Sequence, residues 1–459
     1  GNTPPGDRTS DRRTERFRIA SDGSVGINST NPTATLDVGG TIHQTVVEYP
    51  TIRPALDLNF AATKTLDRRI TFTRDGVGSY IDENGILKYA SNNTPRFDHD
   101  PVTGESLGLL IEESRTNILY GTPSQSYTVN TYNLYNSLTG EYNATRLAKN
   151  ASGNNQSHGS WNWNGNLSTT SFVMSVFVKK INHASFFMQV VSSGVGDNLY
   201  VYYNIDTGVT SHTDYANAGN LTVTKSIENY PDGWFRLIAR VEGFSNAALH
   251  SGFRFGFAHP SNNSQQYQDS SDEVLVFGAQ AEVGNFATSY IPTHESATSV
   301  TRGVDTAIIK GTNFTDFYNA SESTIFFESG VPPVTNSKYF TFHGSDGGGT
   351  ELIEAAAVSG PGANIFTYAD GTVYSNAQVT DSGATTLKYA AGIKANDINL
   401  AINGTLGTTD TSSTQPDALD KLIIGNYSSG NYYLNTSIKK LSYYNKRLPN
   451  AQLQGLTQQ

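Results

Sequence analysis

"RFRIASDGSVGINSTNPTATLDVGG", residues 16–40, sets the class of the whole chain. Phe17 and Ile19 alternate with polar neighbours, Asp22-Gly23 is a hairpin turn, and Val25 and Ile27 alternate again. Asn31-Pro32 marks another turn before a short strand carrying Leu36 and Val38. Strands and turns are plainly written, yet there is little to bury. Roughly 30 residues with about six large apolar side chains fall short of an independent core. The economical answer is a core shared between identical chains wound round one axis. A loose linker is the alternative, and regular alternation favours intertwining. Residues 1–15 are polar and would be disordered alone.

The remaining sequence continues in the same idiom. Tyr (25) and Phe (22) far outnumber Met (2) and Trp (3), and Gly reaches 43, so strand and turn formers prevail. Windows of Leu, Glu, Lys and Ala at helical period hardly occur. The fold class expected is all-β. Only 16% of residues are charged, with a net charge of −10. That balance disfavours nucleic acid, which is bound through Lys and Arg at phosphates, and anionic membranes alike. There are no cysteines, which excludes disulfides and thiolate chemistry. No apolar run reaches the length of a membrane span and no signal-peptide core is visible, so no membrane insertion is expected. The start at Gly1, without Met, suggests a piece cut from a longer chain.

Four segments follow from strand spacing and turn clusters. Residues 1–48 are a stalk or connector. Residues 49–120 are a string of short strands with turns at Asn84-Gly85 and from Pro101 to Gly104. Residues 121–300 carry strands such as "SFVMSVFVKK", "NLYVYYNID" and "WFRLIARVEG", the regular spacing of a β-sandwich. Residues 301–459 form a second sandwich, with a hairpin turn at Asn403-Gly404 and Pro449 at the start of a closing helix.

These segments carry resemblances. "RIASDGSVGINSTNPTATLDVGG" resembles a stalk segment of tail fibres and other appendage proteins of tailed bacteriophages, with Asn28 where glycine is usual. "LDLNFA", "ITFTR", "YIDENGIL", "PRFDHDPVTGES" and "GLLIEESRTN" resemble a module of phage structural proteins. "YPDGWFRL" and "VFGAQAEVGNFATSYIPT" resemble jelly-roll carbohydrate-binding modules. "KLIIGN" and "TSIKKLSYYNKRLPNAQLQGLT" resemble the end of concanavalin-A-like and laminin-G-like sandwiches. The resemblance implies a homotrimeric receptor-binding tail fibre: a short intertwined β stalk followed by β-sandwich (jelly-roll) domains. Its partners would be bacterial surface polysaccharide, such as lipopolysaccharide, and other phage tail proteins through the N-terminal side. It would be made in the host cytoplasm and work in the virion as a tail appendage.

Site chemistry is sparse in the sequence. No G-x-S-x-G elbow, H-E-x-x-H pair or phosphate loop occurs, and "GSDGGG" at 344–349 lacks the Lys and the helix. Glycoside hydrolysis needs only two carboxylates across a groove, so 41 acidic residues leave it open. Modules of this kind bind more often than they cut, and the expectation is a chain that is not an enzyme. A polysaccharide-degrading tailspike and a structural virion decoration are the alternatives.

Sugar recognition calls for flat aromatic faces beside amides and hydroxyls. In "HGSWNWNGN", Trp161 and Trp163 would share one face of an extended strand. The competing reading is that one of them seals the sandwich edge. The loop "NYSSGNYYLN" (426–435) offers Tyr427, Tyr432 and Tyr433 as a tip contact. Trp234, at a strand start, is assigned to the core. For Tyr200 and Tyr202 the core is preferred over a binding face. "DHDPVTGE" reads as a structural turn and Arg115 as an ion-paired joint. No cofactor is required. A structural calcium is suggested by the resemblance, through Asp269, Asp272 and Glu273 of "DSSDEV". The competing reading of that stretch is a solvated acidic turn.

Overall fold

The computed structural model describes residues 17–29, 31–40, 47–126, 128–149, 158–163, 171–192, 198–215, 221–243, 250–261, 263, 271–344, 351–358, 362–369, 372–380, 385–416, 418–427 and 432–458. It is all-β, with helices of only a few residues beside long antiparallel sheets. The chain divides into two compact units, Gly1–Glu48 and Tyr49–Gln459.

The first unit holds a three-stranded sheet. Phe17–Ile19 pairs antiparallel with Val25–Ile27, which pairs parallel with Leu36–Val38. Gly23, at φ 87°, turns the hairpin where Asp22-Gly23 predicts it. The register sets Phe17, Ile27 and Val38 in one row and Ile19, Val25 and Leu36 in the next. Cross-strand neighbours share a face. All six large apolar residues therefore stand on one side, with Arg18, Gly26 and Asp37 on the other. Phe17, Ile19, Ile27 and Leu36 are exposed.

The second unit contains two sandwiches. In the first, six strands in the order 119–126, 158–163, 250–257, 185–192, 198–204 and 210–215 face six in the order 128–136, 141–149, 273–283, 171–180, 234–242 and 222–229. Inward positions alternate along each strand, and Phe172, Met174, Val176, Met188, Phe253 and Phe255 close the gap between the sheets.

The second sandwich is where the expected boundaries fail. Residues 49–120 do not form a separate module. Leu56–Leu58 pairs with Thr436–Tyr444, Thr71–Thr73 pairs with Thr306–Lys310, and Ser106–Ile111 also joins Thr436–Tyr444. Leu56, Leu58, Phe60, Phe72, Leu109 and Ile111 lie in the same core as Phe340, Tyr389 and Leu441. The physical reason is that these short strands cannot cover an apolar face by themselves. They complete a sandwich whose other strands begin only at Thr306. The hairpin formed by Gly78–Ile81 and Leu87–Ala90 turns towards the first sandwich. There Ile81 and Leu87 pack with Phe177, Trp234, Phe277 and Tyr290.

Between the sandwiches, Arg115–Asn117 pairs with Val300–Arg302. Beneath this ribbon lies a buried ion cluster. Asp305 accepts from Arg74 at 3.3 Å and Arg96 at 2.5 Å, while Glu112 meets Arg96 at 2.7 Å and Arg302 at 2.9 Å. Ser289, from the first sandwich, donates its N–H and hydroxyl to Glu112. Arg115 pairs with Glu113 at 2.7 Å and lies over the ring of Phe286. Asp100 accepts the N–H groups of Val102 and Thr103, so "DHDPVTGE" is a capped turn.

Candidate functional site

Chain geometry presents two of the sequence-selected tyrosines on one surface of the second sandwich. The strand Leu419–Ile424 ends at Gly425, whose φ of 76° requires glycine. A Cβ there would come within 2.9 Å of Ile111. Gly425 donates to the Tyr339 carbonyl and accepts from the Leu434 N–H at 2.8 Å. Leu434 is fully buried. The carbonyl of Tyr432 accepts from the Lys338 N–H at 2.8 Å. On the far side, the Asn435 amide exchanges two hydrogen bonds with Glu113.

Tyr432 is held at φ 63°. That conformation is ordinary for Gly and Asn but costs a bulky side chain about 1–3 kcal/mol. The ring is 52% exposed, so core packing does not account for it. Its centroid lies 6.4 Å from that of Tyr427, with the planes at 81°, making an aromatic corner. Lys338 Nζ sits 5.4 Å from the Tyr432 centroid and pairs with Glu354 at 2.8 Å. The ring of His343 stands edge-on to Tyr427 at 6.3 Å. Burial, with Glu354 and Tyr432 nearby, raises the Tyr427 phenol above its ordinary pKa; burial and Glu113 raise that of Tyr433. Both remain neutral donors. The half-buried Tyr433 belongs to the Glu113 side of the loop rather than to the corner.

Lys338, Glu354 and His343 were not selected by sequence reading. They lie on strands whose pairing, Thr341 opposite Glu354 and His343 opposite Leu352, brings them under the loop. No local pattern announces that pairing.

Of the two readings of the tryptophan pair, Trp161 takes the one at the sandwich edge. Trp161 is 7% exposed and stands edge-on to Phe253 at 5.6 Å, in the core of the first sandwich. It seals the sandwich edge because its strand, His158–Trp163, lies second from the border of its sheet. The side chain of Trp163 lies outside the described residues. Trp234 is fully buried and donates to Ser137 Oγ. Tyr200 and Tyr202 are buried, their rings nearly parallel at 6.2 Å.

Of the three carboxylates of the calcium expectation, Asp272 and Glu273 are among the described residues. Asp269 lies outside the described residues. Asp272 is 3.2 Å from His183 Nδ1, and Glu273 pairs with Arg146 at 3.4 Å. Among the described residues no group of three metal-ligating side chains occurs.

No protein-family model and no curated protein matches the chain. Solved structures give remote matches. The CBM40 module of the Ruminococcus gnavus IT-sialidase, bound to α2,3-sialyllactose, has a TM-score of 0.27 and 15% identity, over 30% of this chain and 84% of that one. Domains LG4-5 of the mouse laminin α1 chain give 0.25 and 11%, over 72% and 94%. Trypanosoma rangeli sialidase gives 0.25 and 11%, over 68% of this chain and 60% of that one. The expectation of a chain that is not an enzyme is corrected here, because sialidases, which are glycoside hydrolases, stand among the neighbours.

Proposed function

We propose that the chain recognises surface glycan, and that the corner made by Tyr427 and Tyr432 is a contact point. The observation that carries this is Tyr432, an exposed ring held in a strained backbone conformation over a buried Lys338–Glu354 pair. Strain kept at an exposed position is a mark of function rather than of packing. Two rings at right angles offer a C–H face to a pyranose, and the phenols and neighbouring amides suit its hydroxyls. The finer reading is a receptor-binding tail fibre of a tailed phage, binding lipopolysaccharide or a similar bacterial polysaccharide from the virion. Its support is the stalk resemblance of residues 18–40 and the one-sided apolar sheet that this stretch forms. That face suits a core shared among three copies, and three weak sites per fibre would gain avidity.

The test is retention of the purified chain on bacterial envelope polysaccharide. Wild type is expected to be retained, and Tyr427→Ala with Tyr432→Ala to pass through. Equal retention of both would remove the corner from the account. Release of reducing ends in the same incubation would mark a tailspike. Light scattering tests the shared core: three chain masses are expected, and a monomer would overturn it.

A further inference from the structure

The outer face of the second sandwich carries a row of basic side chains that starts at the tyrosine corner. On the strands Thr306–Lys310, Leu419–Ile424 and Lys338–Gly344, the residues Ile309, Leu422 and Phe342 belong to the core. Successive side chains of a strand alternate, so their chain neighbours Lys310, Lys421 and His343 face outward. The register sets Lys421 directly opposite His343, and Lys310 directly opposite Lys421. Tyr427 stands at one end of this row. There Thr341 Oγ1 donates to the Asn426 carbonyl at 3.1 Å, and the Tyr427 ring lies edge-on to that of His343. His343 is buried, Lys421 half-buried and Lys310 exposed. The row therefore leads outward from the corner, across three strands and about 10 Å.

The fold gains nothing from this arrangement. Like charges directly opposite each other destabilise a sheet. The other cations near the loop are neutralised, Lys338 by Glu354 at 2.8 Å and Arg115 by Glu113 at 2.7 Å. Among the described residues, Lys310 and Lys421 take part in no ion pair. Asp420 precedes Lys421 in the chain without pairing to it, and its Oδ1 is buried without a hydrogen-bond partner. Ser428, Ser429, Gly430 and Asn431 of the loop bring no charge. In a chain of net charge −10, two neighbouring ammonium groups left without a carboxylate make a local anion-attracting field.

We propose that Lys310 and Lys421 seat the anionic group, a phosphate or a carboxylate, of an acidic saccharide whose pyranose ring packs on the Tyr427–Tyr432 corner. The inference rests on the reading of that corner as a glycan contact and names the class of glycan. Each ammonium offers three N–H donors and no acceptor, which suits an anion with several oxygens. An anion between the two lysines removes their mutual repulsion, so binding is worth more here than at a lone surface lysine. The rings supply stacking and the lysines supply the preference for charge.

Binding of the full chain to one bacterial envelope polysaccharide tests this, with four preparations: native, dephosphorylated, carboxyl-reduced, and treated both ways. Wild type is expected to bind the native form about tenfold more tightly than the doubly treated one, and the single treatments tell phosphate from carboxylate. Lys310→Gln with Lys421→Gln should weaken binding to the native form about tenfold, leave binding to the doubly treated form unchanged, and hold or raise the melting temperature. Wild-type binding should also weaken as salt is added. Equal wild-type binding to native and doubly treated forms, or salt-insensitive binding, overturns the acidic class and leaves the corner standing. So does a lysine variant that binds the native form as wild type does, loses both forms equally, or melts lower. No binding of the native form by wild type removes the corner reading and this inference together.

Discussion

Arg96 and Asp305, 209 positions apart, meet at 2.5 Å in the interior, both side chains fully buried. Asp305 also accepts from Arg74 and from the Glu112 N–H at 2.9 Å. One carboxylate thus ties the segment 74–112 to the head of the strand Thr306–Lys310. Asp305→Asn keeps the shape and removes the charge, leaving two buried guanidiniums short of a partner. Breaking such a pair costs about 3–5 kcal/mol. Urea unfolding should show a midpoint lowered to match, whereas a change within experimental scatter would mean that the cluster is not needed for stability.

Two carboxylates, the buried Glu112 and the half-buried Asp98, respond to pH with opposite sign. For Glu112, burial alone would raise the pKa, but Arg302 and Arg96 outweigh it and bring it to about 2. Its stabilisation is therefore full above the ordinary carboxylate pKa of 4.5 and is lost as pH falls towards about 2. For Asp98, burial raises the pKa to about 6 against the Ile81 N–H and Arg96, so its contribution is present in acid and lost as pH rises through about 6. Asp98→Asn should consequently raise stability near neutral pH, by up to about 3 kcal/mol, and leave it unchanged below about pH 4. Glu112→Gln should lower it near neutral pH and flatten the acid limb. Denaturant titrations across this range check both.

Trp161→Ala separates core from recognition. Packed against Phe253, the indole should cost about 3–5 kcal/mol on truncation. Any glycan retention by the folded fraction should match wild type. A stable variant with lost retention would return Trp161 to the binding surface.

Legibility followed the distance over which each feature is decided. The hairpin at Asp22-Gly23 and the turn at Asn403-Gly404, where φ is 47° and 82°, are set by adjacent residues and could be read directly. Helix Asn450–Thr457 begins after Pro449 for the same reason. The loop carrying Tyr427 and Tyr432 was visible as Ser, Gly and Asn between two strands. The placement of residues 49–120 was not, because Leu58 pairs with Leu441 and Thr73 with Thr306, across hundreds of residues. Short strands of alternating polarity say which side is apolar, not which sheet receives it. Trp161 is decided in the same way: only the tertiary fold shows that its side of the strand faces inward.

The central claim rests on Tyr432, and Tyr432→Gly tests it most directly. Glycine relaxes the positive φ, so unfolding stability should hold or rise by up to about 1 kcal/mol, while retention on envelope polysaccharide should fall about tenfold. Stability kept and binding lost is the result predicted. Binding kept at wild-type strength would contradict the account.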